Sequence, residues 1–315
     1  MRGYWLYLVV LYGAFAAMVA MGYYFIGHQD RLALDIIQEH QRCLQGTFQA
    51  PWQYRPLMVW MAERLVGGLQ GITDLPIIVA YTILRFIFLW LAFISFHIYC
   101  RKWLTTAESI LATATIVPMV WLSMLFYVGC HSDWLNLLLF ILGFIAISRD
   151  RYIYLLPIIA AGVPNREMVL FLCVWALADA VMKRKLNYAT LGILAAAGVV
   201  GMSEYLAIRA HFGPRPRLTP LVMFLDNFGS LTSAARNIII PAVVFNIFWV
   251  LPYLRFSRLP RFFKPALLIV PLFVVLHYVI AIPYEVRLFL PLVPLVIPAG
   301  YLTLFELIGG GERDS

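Results

Sequence analysis

The sequence predicts an all-α, polytopic membrane protein, and three observations support this prediction. Hydrophobic residues make up 63% of the 315-residue chain and charged residues only 13%, with a mean hydropathy of +0.84, whereas soluble proteins carry about 25% charged residues. Several apolar runs reach the roughly 17 to 25 residues that a helix needs to cross a bilayer. The short alternating segments typical of membrane β-barrels do not occur in the sequence.

Apolar runs divide the chain into about ten membrane segments within one membrane domain, residues 1–315. The first run, 4–26, is longer than the apolar region of a signal peptide and is followed by no cleavage pattern, so we expect it to be the first span. The segments are predicted at 4–26, 75–100, 109–128, 134–148, 152–163, 168–182, 188–208, 237–254, 265–282 and 288–307. Two long loops separate them, the first outer loop at 27–74 and the second at 209–236.

Basic residues indicate how the chain is oriented. With the N-terminus inside, all four lysines fall in loops on one side, at Lys102, Lys183, Lys185 and Lys264. Because cytoplasmic loops carry an excess of lysine and arginine, we predict cytoplasmic termini and a location in the bacterial inner (plasma) membrane. The same loops account for the net charge of +8, so no nucleic acid partner is expected.

Residues 152–182 predict a short hairpin, because the basic loops before and after it should share the cytoplasmic side. Each arm has about 12 to 15 residues, or roughly 18 to 22 Å of helix, which is less than the bilayer core. The turn at 164–167 should therefore lie below the outer surface, and the turn before 134–148 likewise. Polar turns at this depth are tolerated only in protein or beside water, which predicts an outward-open cavity.

The first outer loop is the first long polar break in the sequence and is predicted to cover the site. Within it, residues 57–72 show apolar residues at helical spacing, which predicts an amphipathic helix on the outer interface that begins after Pro56. In the second loop, prolines at 214, 216 and 220 argue against a helix across the first half.

Asp30 and Asp35 follow the first span and are the candidate catalytic residues. A general base needs a carboxylate within hydrogen-bond reach of an acceptor hydroxyl, and Asp30, nearest the membrane, is the preferred candidate. The alternative is that both are ordinary interfacial acids. Arg55, in the segment WQYRP, suits a phosphate through its planar donor fork, although aromatic residues are also common at interfaces.

Three polar turns supply the other candidates for binding the substrate and the donor phosphate. They are His131 with Asp133, then Asn165 with Arg166 and Glu167, and finally Glu285 with Arg287. Ionisable residues at membrane depth are costly and usually mark a site, so Arg166 is interpreted as a phosphate contact. Structural alternatives stay open, because Ser132 or Asp133 can cap the next helix and neighbouring acids and arginines can simply neutralise each other.

Residue spacing indicates no metal site or cofactor. The cysteines are scattered without metal or disulfide spacing and are interpreted as apolar filler; they are Cys43, Cys100, Cys130 and Cys173. One His-x-Asp pair is a weak metal pattern. A divalent metal therefore stays an alternative that the sequence does not indicate.

These motifs resemble the GT-C glycosyltransferases, integral membrane enzymes that take a sugar from a polyprenyl phosphate carrier. The similarity lies in the acid soon after the first span, the stretch GTFQAPWQYRPLMVW, the turns HSDW and NRE, and the late segment EVRLFLPLVPL. It covers most of the chain as an arrangement of short motifs. The resemblance implies an all-helical fold, an outward-facing active site, and Asp30 before Asp35 as the catalytic base.

The hypothesis is therefore a membrane glycosyltransferase whose partners are a polyprenyl-phosphate-linked sugar, membrane lipids and an unidentified hydroxyl acceptor. Asp30 would deprotonate the acceptor, and Arg166, with Arg55 or Arg287, would stabilise the departing phosphate. One alternative is a lipid-carrier flippase or small-solute transporter without catalysis, although transporters often show repeated halves, which this sequence lacks. The other is a structural subunit of a membrane complex.

Overall fold

The chain folds into α-helices joined by short turns. The computed structural model describes residues 2–27, 30–70, 73, 75–125, 131–214 and 220–309, with side chains at 3–26, 34–70, 73, 75–123, 131–214 and 220–309. Within these ranges no residue lies in a strand. The α-helices are α1 (Arg2–Gly27), α2 (Asp30–Leu44), α3 (Leu57–Leu69), α4 (Ile77–Cys100), α5 (Thr106–Leu125), α6 (Asp133–Ser148), α7 (Leu155–Gly162), α8 (Phe171–Met182), α9 (Tyr188–Phe212), α10 (Pro220–Phe228), α11 (Leu231–Phe245), α12 (Leu251–Leu254), α13 (Phe263–Ile280) and α14 (Val293–Ile308).

Short 3₁₀ helices extend or connect several of these helices, at Trp52–Tyr54, Tyr152–Tyr154, Glu167–Leu170, Asn246–Trp249, Phe256–Arg258 and Val286–Leu292. Two of them, Glu167–Leu170 before α8 and Val286–Leu292 before α14, begin at the polar turns that the sequence singles out.

In the described part of the chain, seven helical segments are long and apolar enough to span a bilayer. The all-helical fold is thus confirmed, and these segments are consistent with an integral, multi-pass membrane protein. They are Gly3–Ile26, Ile77–Cys100, Thr106–Ser123, Tyr188–Phe212, Leu231–Trp249, Phe263–Ile280 and Val286–Ile308. The difference from ten arises at α6, α7 and α8, which have 16, 8 and 12 residues. At 1.5 Å per residue they are roughly 24, 12 and 18 Å long, too short to cross a ~30 Å core alone.

The first outer loop contains two α-helices, although only one was predicted from its sequence. Its first half forms α2, an amphipathic helix that buries Ile36 and His40 and contacts α4. The predicted interfacial helix is α3, but it buries Met58 and Ala62 and also packs on α4. These helices therefore cover protein, because their apolar faces meet the same span.

The second outer loop also contains a helix. Helix α10 begins at Pro220 itself, since a helix's first turn does not require the N–H that proline lacks. Residues 215–219 lie outside the described ranges. Pro220 marks the start of this helix, most of which lies in the second half of the loop.

An aromatic cluster around Trp175 fixes the relative position of α6, α8 and α13. The Trp175 ring lies 5.3 Å from Phe144 and 5.5 Å from Phe273, measured between ring centroids. Its indole N–H donates to the Ala266 carbonyl at 3.2 Å, so the buried polar atom is satisfied. Helices α8 and α13 are thus held side by side.

Four segments that are distant in sequence meet at one end of this bundle. They are the turn before α3, the start of α6, the turn between α7 and α8, and the turn between α13 and α14. The backbone N–H of Leu57 donates to the Pro164 carbonyl at 3.2 Å, which joins the first of these segments to the third.

Candidate functional site

A cavity of about 510 Å³ lies where these segments meet, and we call it the arginine cavity. It is lined by Gln49, Ala50, Pro51, Trp52, Arg55, Arg166, Glu167, Met168, Met223, His277, Ile280, Ala281, Ile282, Glu285, Arg287 and Leu288. Small-molecule sites have volumes of about 300 to 1,000 Å³ and mostly apolar walls with a few placed polar groups. This cavity has both properties, with its charged groups concentrated in three arginines and two glutamates.

Asp133 holds two of the arginines from behind the cavity wall. Arg166 donates from Nη1 to Asp133 Oδ1, and Arg287 Nη1 lies 3.3 Å from Oδ2. Arg287 also donates from Nη2 to Glu285. Arg166, Asp133 and Arg287 are only 1%, 2% and 3% exposed. Because a buried charge is tolerated only when it is paired, this network fixes both guanidinium planes.

The start of α6 places Asp133 for this task. Asp133 lies in the first turn of α6, where the helix dipole favours a carboxylate. Ser132 occupies the N-cap position of α6, but its side chain makes no capping hydrogen bond, and the Asp133 carboxylate pairs with Arg166 and Arg287. Asn165 donates its amide to the Ser132 carbonyl at 2.9 Å, which ties the α7–α8 turn to α6.

Arg55 forms a two-pronged ion pair with Glu167 across 112 residues of sequence. Its Nη2 and Nε donate to the two carboxylate oxygens at 3.1 and 3.3 Å. Burial alone would raise the pKa of Glu167, but the Arg55 charge and hydrogen bonds outweigh it and lower the pKa from 4.5 to about 2. The segment before Arg55 is held by Gln53, whose amide donates to the Cys43 carbonyl at 3.0 Å.

His277 also lines the arginine cavity, and the sequence reasoning missed it. Its Nδ1 donates to the Phe273 carbonyl at 2.7 Å, so Nε2 is the acceptor in the neutral imidazole. The ring lies against Phe273 and Phe289, with centroids 4.3 and 5.8 Å away. A lone histidine within the apolar run LLIVPLFVVLHYVI was the available signal, because ionisable residues inside spans usually mark a site.

A second, much smaller cavity of about 40 Å³ adjoins the first, since Trp52 and Arg55 line both. Its wall includes Glu39, His40 and His131. We call it the small cavity. It places polar residues of α2 beside the arginine cavity; the sequence predicted that this loop covers the site, but not that it forms a helix.

Among the described carboxylates of the first outer loop, Glu39 lines the small cavity. It is half-buried, and burial followed by the nearby Asp35 charge raises its pKa, although Arg42 and Arg287 act in the opposite direction. The small cavity that Glu39 lines shares Trp52 and Arg55 with the arginine cavity. A carboxylate with a raised pKa is better suited to accept a proton near neutral pH.

His131 and His40 line the small cavity, and both contact Tyr81. The His131 ring stacks on Tyr81 with 3.6 Å between centroids, and burial, followed by the charges of Arg85 and His40, lowers the pKa of His131 well below its usual range. His40 lies 2.8 Å from the Tyr81 hydroxyl and 2.6 Å from Glu63 Oε1. These contacts link the exposed Glu63 to the inner wall of the small cavity.

The predicted site residues therefore fall into distinct places. Five line the arginine cavity, namely Arg55, Arg166, Glu167, Glu285 and Arg287. Asp133 and Asn165 lie behind its wall, and His131 lines the small cavity. Asp35 is exposed on α2 and lines neither cavity. The side chain of Asp30 lies outside the described residues, so its role stays a prediction.

Within the described part of the chain, no group of three or more His, Cys, Asp or Glu side chains is arranged to hold a metal ion. The ionisable groups that line the arginine cavity are its three arginines, its two glutamates and His277. Compared with known protein-family models, curated proteins and solved structures, the chain gives no significant match.

Proposed function

We propose that the chain is a membrane glycosyltransferase that moves a sugar from a polyprenyl-phosphate donor to a hydroxyl acceptor on the extracytoplasmic side. The observation that carries this proposal is the wall of the arginine cavity, where Arg55, Arg166 and Arg287 meet a largely apolar lining. Guanidinium groups match phosphate oxygens in geometry and charge. An apolar lining suits the first isoprene units of the carrier.

The three arginines would act on the leaving group. The acceptor oxygen attacks the anomeric carbon, the bond from that carbon to the phosphate oxygen breaks, and the phosphate leaves with the electron pair. Fixed donors that meet developing charge in a site shielded from water are usually the largest catalytic contribution. Ion pairs to Asp133, Glu167 and Glu285 hold the guanidinium groups in place before the polyprenyl-phosphate sugar binds.

A first-loop carboxylate would accept the proton of the acceptor hydroxyl. The resemblance points to Asp30 and then Asp35. Among the side chains that are described, Glu39 is better placed than the exposed Asp35, because it lines the small cavity together with Arg55. We therefore assign the base to Glu39, with Asp30 as the alternative. His277 Nε2 would accept a hydrogen bond from a sugar hydroxyl.

The proposed topology has about ten membrane segments, in which α6, α7 and α8 enter the bilayer without spanning it alone. Both termini would be cytoplasmic in a bacterial inner membrane. In a background without native cysteines, Arg64→Cys should react with an impermeant thiol reagent only in right-side-out vesicles. Arg184→Cys should react only in inverted vesicles, and the reverse pattern would refute the orientation.

The donor site is tested with farnesyl phosphate, a short polyprenyl phosphate, on the purified full chain in detergent. Farnesyl phosphate should raise the melting temperature, while farnesol, which lacks the phosphate, should not. Arg55→Gln should weaken this binding about tenfold or more, given the roughly 1.5 to 3 kcal/mol of a charged hydrogen bond. Arg64→Gln is the matched control, because Arg64 is exposed on α3 and lines neither cavity.

A turnover assay distinguishes a glycosyltransferase from a flippase, a transporter or a structural subunit. The purified chain is incubated with radiolabelled polyprenyl-phosphate monosaccharides and candidate hydroxyl acceptors, and the products are separated from the lipid donor. Formation of a glycosylated acceptor supports the proposal. Binding of farnesyl phosphate without any transfer favours a flippase or transporter, and absence of both removes the phosphate-carrier hypothesis.

A further inference from the structure

A second large cavity, of about 480 Å³, lies at the opposite end of the helix pair α8 and α13, and we call it the basic pocket. It is lined by Met182, Lys183, Arg184, Arg261 and Lys264. The arginine cavity is lined from the other ends of the same two helices, by Met168 before α8 and by His277 and Ile280 at the end of α13. Along α13, Lys264 of the basic pocket and His277 of the arginine cavity are 13 residues apart, which corresponds to roughly 20 Å at 1.5 Å per residue.

The basic pocket carries an excess of positive charge. Lys183 is neutralised by Asp150 and Asp179, at 2.9 and 2.8 Å. For Arg184, Arg261 and Lys264, no carboxylate lies within ion-pair distance among the side chains that the structure describes. Lys264 donates to a backbone carbonyl, that of Ser257, at 2.6 Å. Three cations thus surround one cavity without a protein anion to balance them in the described part of the chain.

The backbone at Arg184 makes a glycine substitution compatible with the fold. Arg184 follows the last turn of α8 with a φ of 54°, a left-handed conformation that glycine usually occupies at this position. The turn is closed by hydrogen bonds from Arg184 N–H to Val181 and from Lys185 N–H to Ala180, at 3.0 and 2.8 Å. A glycine would fit this turn better, yet the sequence places an arginine beside the pocket.

The surroundings of the basic pocket are apolar and exposed, as expected beside lipid. One exposed row runs along α8 and another along α13 from the ends that form the pocket. The rows consist of Val174, Leu177 and Val181 on α8, and Leu268, Leu272 and Val275 on α13. Their spacings of three and four residues keep each row on one helix face.

We propose that the basic pocket binds the phosphodiester headgroup of an anionic glycerophospholipid in the leaflet opposite the arginine cavity. Arg184, Arg261 and Lys264 contact the phosphate, and the two exposed rows accommodate the acyl chains. Basic pockets between membrane helices suit anionic headgroups because the local field and the bilayer position reinforce each other. The proposal is independent of the glycosyl transfer assigned to the other end of the bundle.

The experiment measures binding of dioctanoyl phosphatidylglycerol to the purified full chain by native mass spectrometry. Dioctanoyl phosphatidylcholine and inorganic phosphate serve as comparison ligands. Phosphatidylglycerol should be retained most strongly. Arg184→Gly and Arg261→Gln should each weaken its binding about fivefold, the effect of one basic residue near an anionic surface. Arg151→Gln is the control, because Arg151 is exposed and does not line the pocket.

Arg184→Gly separates binding from folding, because glycine relieves the left-handed backbone and should keep or raise the melting temperature. Equal retention of phosphatidylcholine would overturn the proposal, since charge would then play no part. Unchanged phosphatidylglycerol binding in both pocket variants would also overturn it. If inorganic phosphate competes with the lipid at equal concentration, the site takes a free anion and the lipid assignment is wrong.

Discussion

Two cavities of similar volume, about 510 and about 480 Å³, lie at opposite ends of α8 and α13. They differ in whether their basic side chains are paired with carboxylates. At the arginine cavity each guanidinium group is matched to a carboxylate, as in Arg55–Glu167, Arg166–Asp133 and Arg287–Glu285. At the basic pocket three cations have no such partner in the described part of the chain.

Burial explains the difference. Arg166 and Arg287 are 1% and 3% exposed, and an unpaired charge at such depth would cost several kcal/mol. Arg184 and Arg261 are exposed to solvent, which stabilises a single charge adequately and screens its field with salt. Buried pairs give fixed geometry, as chemistry requires. Exposed, unbalanced cations give attraction without fixed geometry, as a headgroup in a mobile lipid phase requires.

The largest expected effect is on the rate of sugar transfer, and it tests whether catalysis is confined to the end of the bundle that holds the arginine cavity. Glu39→Gln should lower the transfer rate by about 10² to 10⁴, the usual contribution of a general base. Because burial raises the pKa of Glu39 and the base must be ionised, the wild-type rate should fall as pH drops through a value above 4.5. Single-turnover transfer across a pH series measures both.

Asp150→Asn is the control at the other end and should transfer sugar at the wild-type rate. Asp30→Asn decides between the two first-loop candidates. Full activity of Glu39→Gln together with inactivity of Asp30→Asn would return the role of base to Asp30. A large loss in Asp150→Asn would remove the functional separation of the two ends.

Hydropathy predicted the fold class because spanning helices need long apolar runs, and the runs at 4–26 and 75–100 correspond closely to α1 and α4. It could not fix the number of spans, because a short apolar helix such as α7 has the composition of a span without its length. It also missed α2, whose many polar residues lower its mean hydropathy although Ile36 and His40 are buried.

The arginines of the site were predictable because charge in an apolar sequence is conspicuous. Of their partners, a local pattern indicated only Glu285, two residues before Arg287. Glu167 is adjacent to Arg166 in sequence, but its ion pair is with Arg55, 112 residues away, and Arg166 pairs with Asp133. Such pairings depend on how turns from different helices meet, which local patterns do not specify. His277 was missed because it lacks polar neighbours in sequence.

The next largest effect compares stability at the two ends through one matched substitution. Asp133→Asn should destabilise the chain by about 3 to 5 kcal/mol, because two buried guanidinium groups lose their shared counter-charge. Asp150→Asn removes partners of Lys183 and Lys185, at 2.9 and 2.6 Å, but these groups are partly exposed and the cost should be about 1 kcal/mol or less. Denaturant titration in one detergent compares them. Equal losses would contradict the distinction between buried and exposed charge.

The smallest effect concerns the Arg55–Glu167 pair, which is less buried than the Asp133 network. Because the pKa of Glu167 is lowered from 4.5 to about 2, the pair stabilises the fold fully above pH 4.5, and this contribution is lost as pH falls towards 2. The melting-temperature difference between wild type and Glu167→Gln should therefore shrink across that range. Arg55→Gln should flatten the same dependence, and the double variant should add little to either single change, since both remove one interaction. Additive losses would show that the two side chains act separately, and the arginine cavity would then lose one of the ion pairs that set it apart from the basic pocket.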